Sequence, residues 1–417
     1  MESFGDIFGQ VMQAMLANKL RTFLTMFGIA WGVGSLLVLV GLGEGFRSGQ
    51  RRNLADVGND VIMMWGGLIP AVPNQHTAQR PYKLTPADEA EIGKLPEVRA
   101  VTATLERTDM YEVSQWSNTS SRVMGVEPNY PVVRFLPVIA GRFLDEGDLV
   151  NRRRVAVLGQ KTVQLLFSGR PFLGHSITLN GTDFTVIGET GTVGHGDNND
   201  ENQRVMIPLT TMQEWFAMKG ENIPLDALTS IQYQPTIHGD STAAKAAAHR
   251  VIGRNHGFDP TNQDAFDEWD TIHTSQLVDK IFDAMDVFLG GVGVVTLGLG
   301  AVGIINIMLV AVTERTREIG LRKALGATRR SILTQFFLEG LLLTTVSGGI
   351  GIGVSAAFMG LLQLLLTDKM PGFDPPRLVW WSAALAMGSL AICGVVAGVY
   401  PASQAAALEP VEALRRE

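Results

Sequence analysis

The residues that could carry chemistry in this 417-residue chain are few, and most of them are badly spaced for it. Seven histidines (His76, His175, His195, His238, His249, His256 and His273) and one cysteine, Cys393, are the soft or nitrogen ligands available to a metal. None stands in an H-x-x-x-H or C-x-x-C arrangement, so no metal-ligand spacing is present. In Gly194–Asn202, Asp197, Asn199 and Glu201 imitate the first three side chains of a calcium loop. The sixth position is Asn202 where the turn needs glycine, and the twelfth is Pro208 where the bidentate acid belongs. The stretch reads as an exposed loop. Gly298–Gly303 matches G-x-G-x-x-G, but it lies inside an apolar run with no strand before it and no ribose-binding acid after it. Gly159-Gln160-Lys161-Thr162 is the nearest approach to a phosphate-binding loop. It lacks the glycine directly before the lysine and the glycine five residues earlier. No G-x-S-x-G elbow occurs. Nucleotide energy, if used, is expected to be bound by another chain.

One segment stands out for another kind of work. Residues 314–330 read ERTREIGLRKALGATRR. Glu318 and Arg322 are spaced as an i,i+4 pair, Ile319, Leu321 and Leu325 supply apolar contacts, and Gly326 reads as the helix stop. A short charged, amphipathic helix of this kind suits docking into a groove on a cytoplasmic partner.

That segment must be held by something, and the surrounding composition says what. The chain is 46% apolar and 18% charged, with a mean hydropathy of +0.16. Four runs without charge are long enough to cross about 30 Å of hydrocarbon: 22–43, 287–313, 340–367 (extended back to 332), and 378–400, where Pro401 follows. Between spans two and three lie Arg315, Arg317, Arg322, Lys323, Arg329 and Arg330. Lys19 and Arg21 precede span one, and Arg415 and Arg416 end the chain. The positive-inside rule then puts both termini and 314–331 in the cytoplasm, and 44–286 outside it. Arg47, Arg51 and Arg52 argue the other way, but long translocated domains move largely regardless of charge. Trp380 and Trp381 mark the outer interface. The expected organisation is a cytoplasmic amphipathic helix over 1–21, the external domain over 44–286, a coupling loop over 314–331, the third span over 332–367, a short outer loop over 368–377 and a cytoplasmic tail over 401–417. The N-terminus has no basic region or cleavage site, so the first span is expected to stay as a signal anchor. A net charge of −7 with no long basic run disfavours nucleic acid.

The external segment reads as α+β in two lobes. Thr85-Pro86-Ala87-Asp88 is a capping-box start with proline at the first helical position. Asn180-Gly181 joins two strands as a hairpin. Ala243–Ile252 reads as an Ala-rich helix, and Asp270–Asp286 as a helix running straight into span two. Small residues are dense in the spans, with G-x-x-x-G spacing at Gly28/Gly32 and Gly349/Gly353. Tight packing within the chain is the favoured reading and dimerisation the alternative. Asn306 and Glu339 are isolated polar groups in or near spans and form no proton relay, though Glu339 could bind an interfacial base.

With these residues in view, TERTREIGLRKALGATRRSILTQFFLEGLLL resembles the signature of the FtsX-like permease family, the MacB-type ABC transporter permeases. ANKLRTFLTMFGIAWGVGSLLVLVGLGEG resembles the family's first span. GVYPASQAAALEPVEALRRE resembles its last span and tail. ITLNGTDFTVIGETGTVG and RVMIPLTTMQEW are similar to parts of its periplasmic domain. The resemblance implies a four-helix transmembrane permease in the bacterial inner membrane. It carries a large α+β periplasmic domain, a porter-like lobe plus a smaller one, between helices 1 and 2. It implies a homodimer or a heterodimer with a paralogue, and no catalysis or cofactor in this chain. ATP and Mg would bind in a partner ATPase gripping Glu314, Arg315, Thr316, Arg317, Glu318, Ile319, Gly320, Leu321, Arg322, Lys323, Ala324 and Gly326. A periplasmic adaptor and a TolC-like outer-membrane duct are the further partners implied, with efflux from the periplasm driven by mechanotransmission. FtsX-like signalling to a cell-wall hydrolase and LolC/LolE-like lipoprotein release are the alternatives.

Overall fold

The computed structural model describes residues 19–57, 60–69, 71, 78–192, 202–220, 223–365 and 372–407. Residues 1–18 of the expected amphipathic helix over 1–21, and nearly all of the calcium-like loop, therefore lie outside the described residues, and 19–21 open the first long helix. The chain divides into two compact units, one of Gly49–Asp279 and one of Met1–Ser48 with Lys280–Glu417.

Among the described residues, four helices are long and apolar enough to cross a membrane. They are Lys19–Val57, Thr271–Glu314, Arg329–Leu365 and Trp380–Ala407, here the first to fourth membrane helices. The second is 44 residues long, roughly 66 Å at 1.5 Å per residue, about twice the hydrocarbon thickness. The fourth runs through Pro401 to Ala407. The apolar run ends at that proline, but the helix does not, because Ala402, Ala405 and Ala406 beyond it are buried in the same core.

Glycine sets how closely these helices approach. A Cβ on Gly340 would lie 3.1 Å from the Gly398 Cα, bringing the third and fourth backbones together. Cβ atoms on Gly293 and Gly300 would meet Leu36 and Ile29 of the first helix. Gly351 faces the backbone of Ala30. Of the two G-x-x-x-G pairs, only Gly32 meets another helix, at Thr296. Nothing lies within 4 Å of a Cβ on Gly28, Gly349 or Gly353. Packing within the chain thus uses one of the four glycines the spacing picked out, together with others outside those two pairs. Ile29, Val33, Leu37, Leu297, Ile304, Phe336 and Leu390 are among the core's side chains.

The Gly49–Asp279 unit is built on a mixed sheet of twelve strands. The strands are β1 Ile62–Trp65, β4 Val98–Arg107, β5 Glu112–Val113, β6 Asn118–Thr119, β7 Arg122–Val126, β8 Val138–Gly141, β9 Val155–Gly159, β10 Ser176–Leu179, β11 Thr182–Thr190, β12 Arg204–Pro208, β13 Ser230–Pro235 and β14 Asp267–Asp270. Leu68–Ile69 (β2) and Arg80–Pro81 (β3) form a separate pair. The order is β14-β1-β13-β4-β7-β12-β9-β11-β10-β5-β6, with β8 paired to β11. β12 with β7 and β11 with β9 are parallel, and the other pairs are antiparallel. β14, β1, β13 and β4, from the two ends of the unit, make one half, and the strands of the segment nested between β4 and β13 make the other. The two lobes are halves of one sheet.

Local signals hold where they are local. Thr85 and Asp88 form the reciprocal capping box of helix Pro86–Ile92. Asn180 and Gly181, with φ of 43° and 88°, turn β10 into β11 in two residues. Helix Thr242–His256 buries Ala244, Ala248, Val251 and Ile252 in the core beside Leu84, Ile92 and Tyr233.

Candidate coupling surface

The charged segment forms one short helix, Thr316–Ala324, between the second and third membrane helices. Glu314 is the last residue of the second membrane helix and Arg315 is the N-cap. Thr316 turns its hydroxyl back to the carbonyls of Val312 (3.0 Å) and Thr313 (2.8 Å). The helix ends on a Schellman motif. The Gly326 N–H donates to the Lys323 carbonyl at 3.1 Å and the Ala327 N–H to that of Arg322 at 3.0 Å. Gly326 carries the left-handed φ of 99° that this motif asks of its residue after the cap. Gly326 is thus the stop that its residue type suggests.

One side of this helix is anchored. Ile319 is buried in the core that contains Met308, Val312, Ile332 and Phe336, and Gly320 is buried beside it. Lys323 Nζ donates to the Ala406 carbonyl at 2.9 Å, tying the helix to the end of the fourth membrane helix. Arg315 Nη1 lies 3.9 Å from Glu339 Oε2, so Glu339, only 7% exposed, does face a base. The other side is bare. Arg317, Glu318, Leu321, Arg322 and Ala324 are exposed, and Leu325 is 81% exposed. Positions 317, 318, 321, 322 and 325 share one helical face.

The i,i+4 pairing of Glu318 with Arg322 does not form. Arg322 Nη1 instead donates to Gln335 Oε1 at 2.8 Å, thirteen residues on. Glu318 has no hydrogen-bond or ion-pair partner among the described residues. A surface ion pair gains little in water, so a fixed amide on the next helix competes well with it. Leu325 stands outside the twelve residues assigned to the ATPase, yet it is the most exposed apolar group on the face. Its spacing of four from Leu321 was the available signal.

The other motifs fall where no chemistry gathers. Gly298–Gly303 lies within the second membrane helix. Gly159–Thr162 joins β9 to helix Gln160–Phe167, and a Cβ on Gly159 would lie 2.4 Å from the Asn202 carbonyl oxygen. The backbone of Asn202 thus passes close to the turn at Gly159.

Comparison with known proteins fits this architecture. Residues 22–251 match the MacB-like periplasmic core domain, and residues 290–410 match the FtsX-like permease C-terminal domain. The macrolide export ATP-binding/permease protein MacB of Chlorobium phaeobacteroides is 33% identical over 417 residues, covering 99% of this chain and 61% of that protein. The Bacillus subtilis protein described as "Uncharacterized ABC transporter permease YknZ" is 29% identical over 408 residues, 97% of this chain and 98% of its own length. The crystal structure of the periplasmic region of MacB from Actinobacillus actinomycetemcomitans covers 54% of this chain and 96% of that one, at 19% identity and a TM-score of 0.43. The chain thus spans 61% of the MacB protein's length and nearly all of YknZ's. With the first of the two domain matches alone taking in more than half of its residues, the chain belongs to the MacB-type, FtsX-like permeases of ABC transporters.

Proposed function

We propose that this chain is the permease part of a MacB-like transporter, which turns ATP hydrolysis by a nucleotide-binding partner into movement of its external domain. The observation that carries the reading is the divided helix Thr316–Ala324. One side is fastened through Ile319 and Lys323, and the other presents Arg317, Glu318, Leu321 and Leu325 to solvent, with Arg322 on that same face holding Gln335 of the next helix. Burying the two leucines in a partner's groove contributes about 2 kcal/mol each, and the flanking charges set register. A lever fixed at its root and bare at its tip passes a push from the ATPase into the second and third membrane helices, which its ends adjoin. ATP and Mg act in the partner. Glu314 to Ala324, with Gly326, form the lever on the cytoplasmic side, and the Gly49–Asp279 unit lies beyond the membrane. A second copy or a paralogue, a periplasmic adaptor and an outer-membrane duct complete the assembly, and efflux of a periplasmic substrate is its output.

The test is co-purification from native membranes followed by ATPase assay. An ATPase subunit should accompany the wild-type chain, and Glu318→Lys or Leu325→Asp should weaken that association at least about tenfold, a loss of about 1.4 kcal/mol. Undiminished association and ATPase stimulation in both variants would sink the assignment. Recovery of a cell-wall hydrolase in place of an adaptor would move the output from efflux to signalling.

A further inference from the structure

The first turns of the second membrane helix, Thr271–Asp279, are fastened to the external domain more firmly than chain continuity requires. β14 ends at Asp270 and the helix begins at Thr271, with no linker residue between them. Asp270 Oδ1 accepts the N–H groups of Ile272 and His273, both at 3.0 Å, and so caps the helix. Its Oδ2 accepts the Ser241 hydroxyl at 2.5 Å and lies 3.6 Å from Lys245 Nζ. Ser241 is the N-cap position of helix Thr242–His256. One carboxylate therefore joins the starts of two helices, 29 residues apart in the chain.

Further ties lie on either side of it. Thr271 N and Oγ1 donate to the Val61 carbonyl at 3.1 and 2.8 Å, and Val61 N donates back to Thr271 Oγ1 at 3.0 Å. Gln276 Nε2 donates to the Gly239 carbonyl at 2.8 Å. Asp279 pairs at 2.7 Å with Arg51 in the last turns of the first membrane helix. Two residues before Asp270 on the same face of β14, Glu268 takes Lys245 at 2.7 Å and His249 at 2.9 Å. Asp270 is 7% exposed and Thr271 4%. Water has little access to replace the carboxylate, so its loss leaves helix N–H groups without an acceptor.

We propose that Asp270 is a positioning residue that clamps the first turns of the second membrane helix, Thr271–Asp279, to the external domain, so that those turns and the domain move as one body. The inference deepens the proposed function, resting on the reading that this movement is the output. It places the firm joint at a single carboxylate. Asparagine caps helices as well as aspartate does, whereas alanine cannot, so the two substitutions separate capping from mere presence of a side chain.

The test uses the full chain in lipid nanodiscs and reads hydrogen exchange of the amides in 271–279. Asp270→Ala should speed exchange at Ile272 and His273 by about 5- to 30-fold, the loss of a buried cap, and Asp270→Asn should restore most of the protection. Ser241→Ala, a milder change, should give a smaller increase at the same amides, and it carries the test if Asp270→Ala does not fold. In the complex with its co-purified ATPase, Asp270→Ala should leave the basal ATPase rate unchanged and lower output per ATP. Unchanged exchange in the alanine variants would overturn the clamp, whatever happens to transport. Faster exchange with undiminished output would overturn its role in transmission. A wild-type chain that associates with no ATPase would refute the proposed function while leaving the exchange result to judge the clamp.

Discussion

Arg322 and Gln335 are joined by a 2.8 Å hydrogen bond from guanidinium to amide oxygen, which fastens the loop helix to the helix that follows it. Glu318, four residues before Arg322, is left bare on the outer face. The two charges that look like partners therefore do different jobs. Arg322→Ala and Gln335→Ala should each lower stability by about 0.5–1 kcal/mol, as an exposed hydrogen bond does. Glu318→Ala should change it by less than about 0.5 kcal/mol. Thermal unfolding of the purified variants checks this, and a double-mutant cycle should find coupling between 322 and 335 but none between 318 and 322.

Gly326 closes the loop helix with φ at 99°, and nothing lies within 4 Å of where its Cβ would stand. The cost of a side chain there is backbone strain alone. Gly326→Ala should destabilise by about 1 kcal/mol, and Gly326→Asn by less, because asparagine tolerates the left-handed region. Faster hydrogen exchange over 319–325 is the expected sign.

Gly351 and Gly353 are two residues apart on the third membrane helix and should behave oppositely. A Cβ on Gly351 would stand 2.6 Å from the Ala30 carbonyl oxygen, whereas one on Gly353 would meet nothing within 4 Å. Gly351→Ala should cost about 1–3 kcal/mol by forcing the first and third helices apart. Gly353→Ala should be neutral or slightly stabilising through helix propensity. Thermal unfolding in detergent separates the two, and a clear loss at Gly353 would mean that an outside helix packs there.

Two neighbouring acids make the external domain's stability depend on pH in opposite senses. Burial works to raise the Asp88 carboxyl. It is outweighed by hydrogen bonds from His256, Asn255 and Thr85 together with the charge of His256, and the group is held below its ordinary value. The stability it contributes is present above the unfolded value near ~3.9 and is lost as pH falls through its lower folded value. It is therefore silent near neutrality. Glu89 is pushed up to about 7, first by burial and then by the Glu127 carboxylate. Between its unfolded value near ~4.3 and about 7 the folded state binds the extra proton, so stability falls as pH rises through that window. Glu89→Gln should flatten the decline and leave the variant more stable than wild type at pH 8. Denaturation midpoints at pH 5 and pH 8 test the sign, and parallel changes in the two proteins would refute it.

How much of this was legible in residue order varies with the range of the interaction. The capping box at Thr85 and Asp88, the Asn180-Gly181 turn and the stop at Gly326 involve atoms within a few residues, so their chemistry is written locally. The i,i+4 spacing of Glu318 and Arg322 is equally local, yet it misled, because Gln335 competes from the next helix. Of the four glycines in G-x-x-x-G spacing, only Gly32 seats another helix. Spacing identifies which glycines share a face, but not which face another helix covers.

The sequence by itself determined four long apolar helices, the charged segment between the second and third, and an α+β domain inserted after the first. Helix length and hydropathy depend on the segment alone, since a run of uncharged residues meets lipid whatever its neighbours are. Only the tertiary structure decided which side of the loop helix is bare, which glycines seat a neighbouring backbone, and that Asp270 caps one helix while holding the start of another. Those outcomes need groups tens or hundreds of residues apart to meet, and no local rule of period or propensity encodes such a meeting.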